Sequence, residues 1–196
     1  MVVTYCVDMD QVTCTGHVCP TLAESIAYYR ARGVVVPDSI DSWPDLFQLP
    51  DVVRQHEVIP GAVEGVRKLT EGCKLHYLTA RKSDVHDITR EWLRREGFPS
   101  PDKVIFVDGV AEKLIAMADF DGPLFLVDDR WDQLLMILSK HRQHRSLAGL
   151  LDRLTLVAFG ANKSDLPLSS IVPVVPLLNW SWLKESAPVV LLAKKG

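Results

Sequence analysis

The stretch Val2-Val-Thr-Tyr-Cys-Val-Asp-Met-Asp10 decides how this chain is read. Val2 to Val7 is a β-branched and apolar run that stops at Asp8, the pattern of a buried strand. The spacing Asp8-x-Asp10 then puts two carboxylates on one side of the strand's exit.

Outward from that strand, apolar runs alternate with segments of helical period. Lys74 to Leu78 reads as a second strand ending at Thr79, and Val104 to Val107 as a third. Pro123 to Val127 is a fourth, ending at Asp128-Asp129, and Thr155 to Phe159 is a fifth. Helices are expected over Ala62 to Leu69, Ser83 to Glu96 and Ala111 to Ala118. Another starts at Trp131 and runs to Leu138, continuing toward Leu154 beyond a basic break at His141 to Arg145. Alternation of this kind predicts an α/β fold, a parallel sheet with right-handed crossovers and a ligand site at the carboxyl ends of its strands. The polar residues at those ends are Asp8, Asp10, Thr79, Arg81, Asp128 and Asp129. Residues 14–58 interrupt the first crossover with a helix from Pro20 to Arg32 and an irregular part holding Pro37, Pro44 and Pro50. They are expected to form an inserted cap, leaving 1–13 and 59–196 as the core. The tail around Val174 to Leu177 has no clear period.

The chain has 196 residues, and 47% apolar content suits one globular domain with a modest insertion. With 22 basic and 25 acidic side chains its net charge is −3, which gives no bulk attraction to a nucleic-acid backbone. Its longest apolar runs are short or broken by proline, far from the roughly 20 residues of a membrane span. The N-terminus lacks the basic region of a signal peptide, and four cysteines make no disulfide scaffold. A reducing cytoplasm is the expected compartment.

Four carboxylates at the ends of two apolar strands repel one another unless a cation joins them. Hard oxygen ligands with positions left for water and phosphate suit magnesium. In the pair Asp8 and Asp10, one carboxylate can act as nucleophile while its neighbour handles protons. Taken singly, these residues read as strand terminators and helix caps. Their joint occurrence, with Thr79 and a lysine in order along the chain, favours the chemical reading.

At these residues the chain resembles the haloacid dehalogenase superfamily. Val7-Asp-Met-Asp-Gln-Val12 is similar to motif I, written Asp-x-Asp-x-Thr/Val, and Leu78-Thr-Ala-Arg81 to motif II. Lys113 stands for motif III, with Lys103 as competitor, and Leu126-Val-Asp-Asp-Arg130 for motif IV. Within the superfamily the chain resembles the 5′(3′)-deoxyribonucleotidases, through Asp8-Met-Asp10, the turn Ile59-Pro-Gly-Ala62, Asp128-Asp129 and Leu177-x-x-Trp180. The resemblance implies a Rossmann-like sheet with helices on both faces and a small, mainly helical cap after the first strand. It implies a phosphatase in which Asp8 attacks phosphorus to form an aspartyl-phosphate. Asp10 would protonate the leaving oxygen and then take a proton from water. Thr79 and the backbone at Ala80 would hold the phosphate and Lys113 would neutralise it. Magnesium would be held by Asp8, the Asp10 carbonyl, and Asp128 or Asp129.

The implied substrate is a small phosphomonoester, a nucleoside monophosphate before others. Trp43 and Phe47 in the cap could stack on a base or merely pack within it. Arg81 and Arg130 divide between solvated surface and phosphate or cap contact. Gln11 departs from the family, standing where glycine is usual. Cys14-x-x-His17-x-Cys19 offers too few ligands for structural zinc, and the basic run Lys140 to Arg145 reads as a solvated face. Two alternatives are a 3′-phosphatase for nucleic-acid ends and a non-catalytic phosphate-binding protein that kept the fold.

Overall fold

The computed structural model describes residues 2–141 and 145–185. In chain order, β1 (Thr4–Val7) leads to β2 (Cys14–Thr15), α1 (Leu22–Arg30), α2 (Trp43–Leu46), α3 (Pro50–Arg54) and β3 (Glu57–Val58). There follow α4 (Ala62–Leu69), β4 (Lys74–Thr79), α5 (His86–Arg95), β5 (Val104–Phe106), α6 (Val110–Ala118) and β6 (Leu124–Asp128). The described chain ends with α7 (Trp131–His141), α8 (Arg145–Leu151), β7 (Leu154–Phe159), β8 (Val174–Leu177) and α9 (Trp182–Glu185). Six strands form one sheet in the order β5-β4-β1-β6-β7-β8, every pairing parallel.

Period-two alternation divides the core between the sheet's two faces. Tyr5, Val7, Phe125, Val127 and Val157 pack on one side with Ala62, Val66 and Leu69 of α4, Trp92 of α5 and Trp180. Cys6, Leu124, Leu126 and Leu156 pack on the other with Leu114 of α6, Leu134 and Leu138 of α7, and Leu150 of α8. Burial on both faces is why β1 and β6 read as unbroken apolar runs.

The sequence reading differs in three places. The tail adds a sixth strand: Val174–Leu177 pairs with β7 at the sheet's edge, where Pro176 can lack an N–H without breaking a ladder. The proline-rich stretch is helical in part. Pro44 and Pro50 each stand in the first turn of a short helix, where a missing N–H costs nothing, and Ser42 caps α2 through the Asp45 N–H. The helix expected from Ser83 begins as a 3-10 turn over Ser83–Val85 before α5. In the basic run, Lys140 and His141 are exposed at the end of α7, while 142–144 lie outside the described residues.

Between β1 and the sheet's next strand, Cys14–Thr15 pairs antiparallel with Glu57–Val58. The residues between these two short strands bury a cluster of their own, Tyr29, Val34, Val36, Leu46 and Val52.

The loop after β1 is pinned from inside. The Met9 carbonyl accepts from the N–H groups of Val12, Thr13 and Cys14, and from the Thr13 hydroxyl at 3.0 Å. From the far end of the chain, the buried Trp180 indole N–H donates to the Val12 carbonyl at 2.6 Å. That ring rests on Gly65, where an added Cβ would meet Trp180 Cε3 at 2.5 Å. Gln11 occupies the left-handed region at φ 64°, the conformation glycine adopts without a Cβ penalty. Gln11→Gly should therefore raise stability by roughly 0.5–1 kcal/mol in denaturant unfolding, since relief of the left-handed strain outweighs the extra chain entropy. A loss of stability would mean that the hydrogen bond from Gln11 Nε2 to Thr15 Oγ1 holds the loop more strongly than its backbone resists it.

Candidate active site

The chain leaves β1 on the β4 side and returns on the other side as β6, so β1 and β6 flank the switch point of the sheet. Asp8 follows β1, its N–H donating to Val127 O at 2.9 Å, and Asp128 is the last residue of β6. Both carboxylates are buried, and Lys113 on α6 reaches between them. Its Nζ lies 2.9 Å from Asp8 Oδ1 and 2.8 Å from Asp128 Oδ2. Burial alone would depress the Lys113 pKa, but Asp8 and Asp128 raise it above its ordinary value and keep it an ammonium. Burial also dominates at Asp8, raising its pKa, with Lys113 opposing and Asp128 adding to the rise. Lys103, the competing lysine, is exposed before the amino end of β5, away from the strand ends that carry Asp8.

Asp129 completes this group. Oxygens of Asp8, Asp128 and Asp129 all lie within 4.8 Å of one another. Asp129 Oδ1 is buried without a partner, and Asp128 Oδ1 accepts the Arg130 N–H at 2.8 Å. Three carboxylates thus face one ammonium. Excess negative charge, an orphaned buried oxygen and all-oxygen donors fit a small, hard divalent cation. Thr79 at the end of β4 is buried, with its hydroxyl also unpartnered.

Asp10 belongs to a second cluster. Its carboxylate turns to Arg81, which donates from Nη2 to Oδ1 at 2.6 Å and from Nε to Oδ2 at 3.2 Å. Any share of Asp10 in the cation site is therefore left to its main-chain carbonyl. Arg81 is buried, so of the readings given for it a solvated position fails, while contact with the 14–58 segment holds through Cys14 and His56. Its Nη2 also lies 3.1 Å from Cys14 Sγ and 3.0 Å from His56 Nδ1, and its Nη1 donates to Thr89 Oγ1 at 3.1 Å. Burial would raise the Asp10 pKa, but the Arg81 charge and hydrogen bonds hold it below the ordinary carboxylate range. Burial, reinforced by Arg81, lowers the His56 pKa to about 4, so the ring is neutral at pH 7. A guanidinium donor facing Nδ1 makes that atom the acceptor and places the ring proton on Nε2, which has no partner. Asp10, Cys14 and His56 are close enough to ligate a metal, but Arg81 Nη2 already supplies the cation between them. The Cys14, His17 and Cys19 zinc set does not assemble: Cys14 faces Arg81, while His17 stacks on Tyr28 at 3.7 Å.

Two cavities open on these clusters. One, of about 220 Å³, is lined by Asp8, Asp10, Ala80, Lys113, Asp129 and Arg130. The other, of about 250 Å³, is lined by Trp43, Phe47, Gln48, His56 and Gly16, and the two share Asp10, Gln11, Pro44, Gln48 and Arg130. Trp43 and Phe47 are half-buried, 5.7 Å apart between ring centres. Phe47 lies against Gly16, where a Cβ would meet its ring at 2.5 Å. Lys82 ties α2 to the segment after β4, pairing with Asp45 at 2.8 Å while its N–H donates to Gln48 Oε1.

Sequence reasoning missed His56 and Gln48. Neither stands in a motif. The one usable signal for His56 is its place just ahead of β3, two residues before Val58, which pairs with Cys14.

No protein-family model matches this sequence, and no curated protein does. Among solved structures, a haloacid dehalogenase-like hydrolase from Burkholderia xenovorans LB400 superposes with a TM-score of 0.54 at 16% identity, over 95% of this chain and 96% of that one. A subfamily IA haloacid dehalogenase-superfamily hydrolase from Geobacter sulfurreducens PCA gives 0.48 at 14%, over 94% and 95%. The class C acid phosphatase from Bacillus anthracis gives 0.42 at 16%, over 78% of this chain. The chain spans 64% of the length of that phosphatase. At these identities the likeness concerns the fold: the chain has the six-stranded parallel architecture of the haloacid dehalogenase-like hydrolases.

Proposed function

We propose that this protein is a magnesium-dependent phosphomonoester hydrolase working through a phosphorylated Asp8, with a nucleoside monophosphate as its substrate. The observation that supports this most is the gathering of Asp8, Lys113, Asp128 and Asp129 at the exits of β1 and β6, beside Asp10 and open to the 220 Å³ cavity. Lys113, Thr79 and the backbone at Ala80 bind the phosphoryl group. An Asp8 oxygen attacks phosphorus as the bond to the leaving oxygen breaks, and Asp10, which must first take up a proton against the pull of Arg81, supplies that oxygen's proton. Water then attacks the same phosphorus, Asp10 takes its proton, and the bond to Asp8 breaks to release inorganic phosphate. Asp8, Asp128 or Asp129 and the Asp10 carbonyl would hold magnesium, which would supply the charge neutralisation that lets an anionic carboxylate approach an anionic phosphate. The segment 14–58 serves as a cap over the leaving group, with Trp43 and Phe47 lining its chamber. No described helix is long and apolar enough to cross a membrane. Four free cysteines accord with a reducing cytoplasm.

Asp8→Asn should abolish turnover of nucleotides and aryl phosphates by many orders of magnitude with the fold intact by circular dichroism, because the nucleophile is lost at nearly constant volume. Residual activity above a small fraction of wild type would sink the covalent route. Activity should also vanish in excess chelator and return with magnesium but poorly with calcium, whose 6–8 looser ligands misplace the nucleophile; full activity in chelator removes the metal assignment. Trp43→Ala and Phe47→Ala should lower kcat/KM for a nucleoside monophosphate by roughly tenfold or more while sparing a small aryl phosphate. Equal losses on both would show that these rings only hold the cap together and would remove the reason for preferring a nucleoside leaving group.

A further inference from the structure

Arg81 spends its side chain inside the protein. Of its polar contacts, two go to Asp10, and the rest tie it to Thr89 on α5 and to Cys14 and His56 at the β2–β3 pairing. A buried guanidinium held at three corners by three different elements has one orientation, and its fork transfers that orientation to the Asp10 carboxylate. Asp10 is itself 40% exposed in its side chain and lines both cavities. Oδ2 accepts one Arg81 hydrogen and keeps a lone pair, while Oδ1 accepts both from Arg81 and from the Cys14 thiol at 3.7 Å. A carboxylate presented in this way is arranged to accept a proton.

We propose that Arg81 is a positioning residue that aims Asp10 at the hydrolytic water, so that its contribution falls on the second half of the reaction. The proposal rests on the phosphatase reading. In that half, an O–H bond of water breaks with its proton passing to Asp10. The water oxygen bonds to phosphorus, and the phosphorus–Asp8 oxygen bond breaks to leave inorganic phosphate and the Asp8 carboxylate. Formation of the phosphoenzyme from a substrate with a good leaving group needs little from Asp10, so Arg81 should matter little there.

The test is pre-steady-state turnover of p-nitrophenyl phosphate with magnesium by Arg81→Gln. Nitrophenol should appear in a burst approaching one per chain, at a rate within a few-fold of wild type, followed by a steady state slowed about 10²-fold. The stalled protein should carry one phosphoryl group on Asp8 by mass spectrometry. Burst and steady state falling together, with no phosphoenzyme, would overturn the role of Arg81 while leaving the phosphatase reading in place. Absence of turnover by the wild type on aryl phosphates and nucleotides alike would overturn the phosphatase reading and this role with it. Arg81→Lys guards against a folding defect. It keeps the buried charge but lacks the two-pronged fork, and should show the same burst with a smaller slowing; wild-type steady-state turnover in a folded Arg81→Lys would also overturn the proposal.

Discussion

The constraint on which this structure depends is the burial of like charges at adjacent strand exits. Asp8 and Asp128 close the two central strands of a sheet covered on both faces, where solvent cannot screen them. Lys113 is the internal answer, an ammonium within 3 Å of both carboxylates and itself buried. It neutralises part of the charge. Asp129, with its unpartnered buried oxygen, leaves an excess of carboxylate over ammonium at this spot.

A second balance is struck a few ångströms away. Asp10 is paired with Arg81 rather than with Lys113, so neighbouring carboxylates of one short motif stand in opposite electrostatic settings. Burial lifts the pKa of Asp8, whereas Arg81 lowers that of Asp10. The two acids of one motif thus meet different cations, an ammonium at Asp8 and a guanidinium at Asp10. The same guanidinium excludes a metal from the Asp10, Cys14 and His56 group by lying among its ligands.

Holding both settings in place requires a rigid loop between β1 and β2. That loop is fastened by the Met9 carbonyl, by the Trp180 indole and by the bare face of Gly65 beneath it. Gln11 tolerates a left-handed backbone inside it, which is strain carried where two cavities meet. The late Leu177-x-x-Trp180 pattern thereby acquires a physical meaning. Leu177 closes the edge strand and Trp180 reaches back to the first loop of the fold.

The sequence by itself determined five of the six sheet strands in order with the helices between them, the parallel sheet, and the polar residues Asp8, Asp10, Thr79 and Asp128 at or just beyond the strand ends, because these follow from local periodicity and the turn of each strand. It also separated Lys113 from Lys103 by placement ahead of the Asp128-Asp129 strand. Tertiary structure alone decided which partner each charge received. Arg81 meets Asp10 across 71 residues and His56 across 25, and Trp180 meets Val12 across 168. No window of sequence spans such pairs, and an arginine after a strand has the same local signature whether it faces solvent or a buried carboxylate. The edge strand at Val174–Leu177 escaped for a related reason. Its pairing partner, not its own four residues, makes it a strand.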